Sequence, residues 1–206
     1  MELIHARLTK ENAGDQVRSD QPGEFANRDL LRQPLPIAIV DDKETSTTAW
    51  LRDLQRVFPG RQFAAFNTLS AARRALVSVS YPFGLILDHN MDGDKTVDAQ
   101  EYGASLAPQV RSNNPWGLAL PIAYYSAWCS PEEFCTKIAG DYASLGPTLF
   151  FDKNRTPDIV DVVHALDHQF RSTAPVFVSA MILIQTRGYD FATLAGAFDE
   201  DAGGLP

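Results

Sequence analysis

The chain has 206 residues, 45% hydrophobic and 21% charged, the balance of a soluble globular protein with material for one good core. Its formal net charge of -8 argues against a general nucleic-acid or anionic-membrane surface, since both need a positive footprint. Cys129 and Cys135 lack CxxC spacing and read as a reduced cytosolic pair, the opening residues turn polar too soon for a signal peptide, and the longest apolar stretch, Val176 to Ile184, is too short to span a bilayer. A cytoplasmic location is the expectation.

Residues 1–33 are polar, mixed in charge and broken at Gly14 and Pro22-Gly23, an N-terminal extension with little to predict a packed element. From Pro36 the character changes. Ile37 to Val40 is a short apolar run that reads as a buried strand, and it ends in the acid pair Asp41-Asp42. A helix follows, with Thr45 or Ser46 as its cap, Leu51, Leu54 and Phe58 on one face, and Pro59-Gly60 as its stop. Phe63 to Phe66 is a weaker strand, and Leu69, Ala72 and Leu76 place a second helix over 68–77.

The run Phe83-Gly-Leu-Ile-Leu-Asp-His-Asn-Met91 predicts a strand buried on both faces, with Asp88 at its carboxyl end. An acidic loop, Asp92 to Glu101, comes next, then a helix from about Gly103 to Arg111 with Pro108 inside it. Leu118 to Tyr125 reads as a fourth strand ending in Ser126. Ser130-Pro-Glu-Glu133 is a capping box with a first-turn proline, so it predicts a helix start. Thr148 to Phe151 is a fifth strand followed by Asp152 and Lys153. Pro157 then opens a last helix with Ile159, Val163, Leu166 and Phe170 inward, which leaves His164 and His168 on the solvated side with Asp161.

Strands alternating with helices predict an α/β fold, a doubly wound five-stranded parallel sheet, over residues 34–172. Residues 173–206 stand outside the alternation as a C-terminal extension, apolar from Pro175 to Ile184 and read as packing on the main domain.

In a parallel sheet the strand ends carrying Asp41-Asp42, Asp88, Ser126 and Lys153 open onto one edge, where α/β proteins place ligands. Carboxylates so gathered repel one another unless a cation sits among them, and hard oxygen donors of this kind suit Mg²⁺. Such a cation and Lys153 can neutralise a transferring phosphoryl group while Asp88 attacks phosphorus as an oxygen nucleophile.

This set, in this order, resembles the receiver domain of two-component response regulators over roughly Leu35 to Arg171. The resemblance implies a flavodoxin-like sheet of order 2-1-3-4-5. It makes Asp88 the phosphoacceptor and one of the Mg²⁺ ligands, with Asp42 a direct ligand, Asp41 a ligand through water, and the backbone carbonyl of Asn90 a further ligand. Ser126 and Lys153 would contact the phosphoryl oxygens, and Phe150 stands where the family has its aromatic switch residue. Gly103 looks like the family glycine after the phosphorylated strand. It also implies a phosphodonor partner, a histidine kinase or histidine phosphotransfer protein, and an output partner or homodimer. No separate enzymatic turnover is expected beyond the receiver's own phosphoryl transfer and autodephosphorylation.

Three features depart from the pattern. The interval from Asp88 to Gly103 is longer than usual, Asn154 replaces the proline that normally follows the lysine, and Trp128 adds bulk where family side chains govern the approach of water to the phosphate. Two other readings stay open from sequence: a Mg²⁺-dependent phosphatase or phosphotransferase with an aspartyl nucleophile, and an interaction module that uses the fold without phosphorylation. Against the first, Asp88-His-Asn90 lacks the Asp-x-Asp usual in haloacid-dehalogenase-like enzymes.

Overall fold

The computed structural model describes residues 31, 33–91, 103–127, 147–155 and 158–187. In chain order these form β1 (Ile37–Val40), α1 (Glu44–Val57), β2 (Phe63–Phe66), α2 (Leu69–Leu76), β3 (Gly84–Leu87), α3 (Leu106–Asn113), β4 (Ile122–Ser126), β5 (Thr148–Asp152) and α4 (Ile159–Arg187). Short 3₁₀ turns at Gly103–Ser105 and Gly117–Ala119 lead into α3 and β4.

The five strands make one sheet of order β2-β1-β3-β4-β5, and every pair is parallel. The α/β sheet implied by the sequence is therefore the one observed. Its register aligns Val40 with Leu87 and Ser126 with Asp152, so the residues just beyond β1, β3 and β5 meet at one edge. All four residues of β1 and of β3 are buried, as expected for inner strands with both faces covered.

Local chemistry sets several boundaries differently from the sequence expectation. Helix α1 begins at Glu44, with Lys43 rather than Thr45 or Ser46 at its N-cap and no side-chain cap. The Asp41 carboxylate accepts the Lys43 amide at 2.9 Å instead, and the Thr47 hydroxyl donates back to the Glu44 carbonyl at 3.1 Å. Strand β4 starts only at Ile122, because Gly117–Ala119 coil into a turn held by Ala119 N to Trp116 O at 2.7 Å, which leaves Leu118 exposed. Pro108 sits in the first turn of α3, where its missing N–H is not needed. The last helix does not end near Arg171 but runs through Pro175 to Arg187. Hydroxyls of Ser172, Thr173 and Ser179 donate to the carbonyls of His168, Gln169 and Pro175 around that proline.

Gln33–Ala174 form one compact unit, and the described residues from Pro175 to Arg187 belong to another. Two buried arginines brace the former. Arg61, before β2, grips Asp167 of α4 with two hydrogen bonds of 2.6 and 2.7 Å, donates to the Leu35 carbonyl at 2.7 Å, and lies over the rings of Phe58 and Phe63. Arg111, at the end of α3, donates to the Leu120 and Pro147 carbonyls and the Thr148 hydroxyl, tying α3 to the starts of β4 and β5. Burial pushes its guanidinium down to about 10, so it remains charged at neutral pH.

Candidate functional site

Each site residue is placed by the end of a strand. The Asp41 amide donates to the Phe66 carbonyl at 3.1 Å, Asp88 to Val40 at 2.8 Å, and Lys153 to Ser126 at 3.0 Å. The ladder thus continues one residue past β1, β3 and β5 and fixes those three side chains at the sheet edge. Asn67 holds the Asp41 turn from the side, donating to its carbonyl at 2.9 Å and to the Thr47 hydroxyl at 3.0 Å. Asn90 follows in the β3 loop, its amide donating to Asp88 Oδ1 at 3.3 Å.

Lys153 is the hub. Its Nζ lies 2.5 Å from Asp41 Oδ2 and 2.6 Å from Asp88 Oδ2, reaching from β5 across β4 to the ends of β1 and β3. Asp41, Asp88 and Ser126 are all buried, and the Ser126 hydroxyl hydrogen-bonds the Asp88 carboxyl. Asp88 is held above the usual carboxylate range, chiefly because burial penalises its charge; Lys153 opposes this, Asp41 adds to it and Ser126 opposes it again.

Oxygen atoms from Asp41, Asp42 and Asp88 lie within 4.8 Å of one another, the one grouping of three such residues among those described. One ammonium against three carboxylates leaves the site negative. An all-oxygen donor set with surplus negative charge fits a hard divalent cation such as Mg²⁺.

The structure thus brings together Asp41, Asp42, Asp88, Ser126 and Lys153. Phe150 is half-buried in β5, in register with Tyr124 of β4. Trp128, the acidic stretch 92–101, both cysteines and the helix start at Ser130 lie outside the described residues. The Lys153–Asn154 bond is trans, since no cis peptide occurs among the described residues. His89 lies in the loop after β3 and is buried; that burial lowers its pKa and keeps the imidazole neutral at pH 7. His164 and His168 are exposed, the former with its ring edge-on to Phe58 at 5.1 Å.

Two aromatic residues at the site escaped the sequence reading. Trp50 of α1 and Tyr125 of β4 have ring centroids 5.5 Å apart, with the Lys153 ammonium 5.3 and 5.6 Å from them. A signal for Trp50 existed: Thr47, Trp50 and Leu54 share helical spacing, and Thr47 and Leu54 are the buried residues of α1.

The order 2-1-3-4-5, with the acidic cluster at the carboxyl ends of β1 and β3, is the flavodoxin-like fold of response-regulator receiver domains. Solved structures with this likeness are mostly receivers, at low sequence identity. The N-terminal domain of a response regulator/sensory box/GGDEF three-domain protein from Carboxydothermus hydrogenoformans matches with a TM-score of 0.50 at 16% identity, covering 68% of this chain and 98% of that one. A structure described as adenylate cyclase from Rhodopirellula baltica matches with a TM-score of 0.53 at 14% identity, over 75% of this chain and 99% of that one. The Francisella response regulator 1452 receiver domain gives 0.48 at 14% identity, over 68% and 98%. No protein-family model matches the sequence, and no curated protein matches it significantly.

Proposed function

We propose that this protein is a phosphoacceptor receiver, in which Asp88 takes a phosphoryl group from the phosphohistidine of a histidine kinase or histidine phosphotransfer protein. The observation that supports this reading best is the setting of Asp88, a buried carboxylate at a strand end with Lys153 and Ser126 on its oxygens and Asp41 and Asp42 alongside.

Asp88 supplies the attacking oxygen. A P–O bond forms to its carboxylate as the P–N bond to the donor imidazole breaks, and the electron pair of that bond leaves with the imidazole. Lys153, already 2.6 Å from Asp88, neutralises charge on the phosphoryl oxygens, and the Ser126 hydroxyl donates to one of them. Asp41, Asp42 and the Asn90 carbonyl would hold Mg²⁺, which when bound shields the negative oxygens of acceptor and phosphoryl group.

Output is a population shift. Ser126 is drawn toward the phosphate, Phe150 turns into the space released, and the surface of β4 and β5 changes for an output protein or a second copy to recognise. The phosphoryl group is later lost to water in a step the receiver itself assists.

The test is incubation with Mg²⁺ and acetyl phosphate, followed by intact mass measurement of wild type and Asp88→Ala. A phosphoryl adduct on the wild type alone is expected. No adduct, together with no Mg²⁺ binding by calorimetry, would overturn the proposal in favour of a phosphorylation-independent module. Steady turnover of a phosphate ester would point instead to a phosphatase.

A further inference from the structure

The aromatic pair beside Lys153 has no part in the chemistry described above, yet it occupies the flank of the one side chain that joins both buried acids. Trp50 is on the second turn of α1, and side chains of a helix lean toward its N-terminus. In a parallel α/β unit that direction leads to the carboxyl edge of the sheet, so the indole is carried toward the site. Tyr125 immediately precedes Ser126 and approaches from β4. Both ring centroids lie within the roughly 6 Å over which a ring's negative face attracts a cation. Burial, Asp158 and Asp41 push the Tyr125 hydroxyl up to about 12, so the ring stays neutral and does not compete as an anion for the ammonium.

We infer that Trp50 is a positioning residue for Lys153: with Tyr125 it forms an aromatic seat that holds the ammonium beside the Asp88 oxygens. A lysine has four flexible carbons and no preferred fork, so carboxylates alone fix the charge but not the stem. An indole face on one side restricts the approach to that from which Nζ touches Asp41 and Asp88 together. Trp50 itself touches neither acid through any hydrogen bond described here; it acts through the lysine. The functional half of this inference rests on the receiver reading, whereas the seat itself does not.

Two readouts in the full-length protein test it. The first is the rate at which acetyl phosphate with Mg²⁺ places a phosphoryl group on Asp88, followed by intact mass. Trp50→Leu should slow it about fivefold, the scale of one partly buried cation–π contact, while Trp50→Phe, which keeps a ring face, should stay within about twofold of wild type. The second is the position of the Lys153 ε-methylene resonances, assigned through Lys153→Arg. Ring currents should shift them upfield in wild type and in Trp50→Phe, and Trp50→Leu should return them toward the free-lysine value.

A Trp50→Leu protein that keeps both the wild-type rate and the shifted resonances would overturn the inference. So would loss of rate in Trp50→Phe equal to that in Trp50→Leu, which would mark a packing role. If the wild type accepts no phosphoryl group, the receiver reading falls and the resonances alone decide: shifted and restored supports the seat, unshifted refutes it.

Discussion

Asp88 carries a thermodynamic penalty that the strand and its neighbours sustain. Its raised pKa means that the fold prefers the protonated form. Its contribution to stability is therefore full below the unfolded pKa near 3.8 and is lost as pH rises through that value toward the folded one. Above the folded pKa the ionised carboxylate destabilises the metal-free protein. Asp88→Asn should then raise its stability by about 1 kcal/mol, or about 3 °C in Tm, measured by thermal denaturation with a chelator present. Added Mg²⁺ should raise the wild-type Tm more than that of the variant, because the cation neutralises the repulsion the substitution has already removed. Gly103 matters for a different reason: a Cβ there would lie 1.8 Å from the Asp88 carbonyl oxygen, and backbone cannot yield as a side-chain tip does. Gly103→Ala should cost at least about 2 kcal/mol by urea denaturation and abolish phosphoryl acceptance in the mass assay. The sequence marked Asp88 by a local pattern, a carboxylate closing a buried run, and Gly103 only through the resemblance to receiver domains. Helical spacing with Thr47 and Leu54 could have put Trp50 on the inner face of α1, but nothing local tells that it and Tyr125 meet Lys153, a contact between positions remote in sequence.

Among the elements, the bridge from Arg61, before β2, to Asp167 of α4 is a two-bond polar tie. Arg61 is only 3% exposed and Asp167 19%, so removing the guanidinium leaves a carboxylate largely out of water. Arg61→Ala should destabilise by about 3 kcal/mol in urea unfolding, and Arg61→Lys should recover little, because an ammonium cannot make the two parallel bonds or lie flat on Phe58 and Phe63. Here the strands β1 and β2 were legible to the residue, as four-residue apolar runs between polar stops. Strand β4 was not: Leu118 to Leu120 has a strand's composition, but Trp116 carbonyl contacts and Pro121 commit it to a turn. The end of α4 was equally opaque, since Pro175 looks like a terminator and instead lies inside the helix.

Across the domain, alternation and handedness implied a parallel α/β sheet, whereas its order 2-1-3-4-5 came only from the resemblance to receiver domains. The compact unit Gln33–Ala174 ends within two residues of the limit at which the alternation stops. A fragment of residues 33–174 should unfold in one cooperative transition and accept a phosphoryl group at the full-length rate, as read by denaturation and by intact mass. No helix among the described residues is long and apolar enough to cross a membrane.

The close approach of Gly103 to Asp88 has a further consequence. The described chain leaves the Asp88 turn at Met91 and resumes at Gly103, whose amide donates to the His89 carbonyl at 3.0 Å. The two ends of that interval are thus joined at one point beside Asp88. With the ends joined, doubling the length of chain between them would add only about 0.6 kcal/mol of closure entropy, so a shortened interval should leave the stability of the Asp88 turn nearly unchanged in urea unfolding.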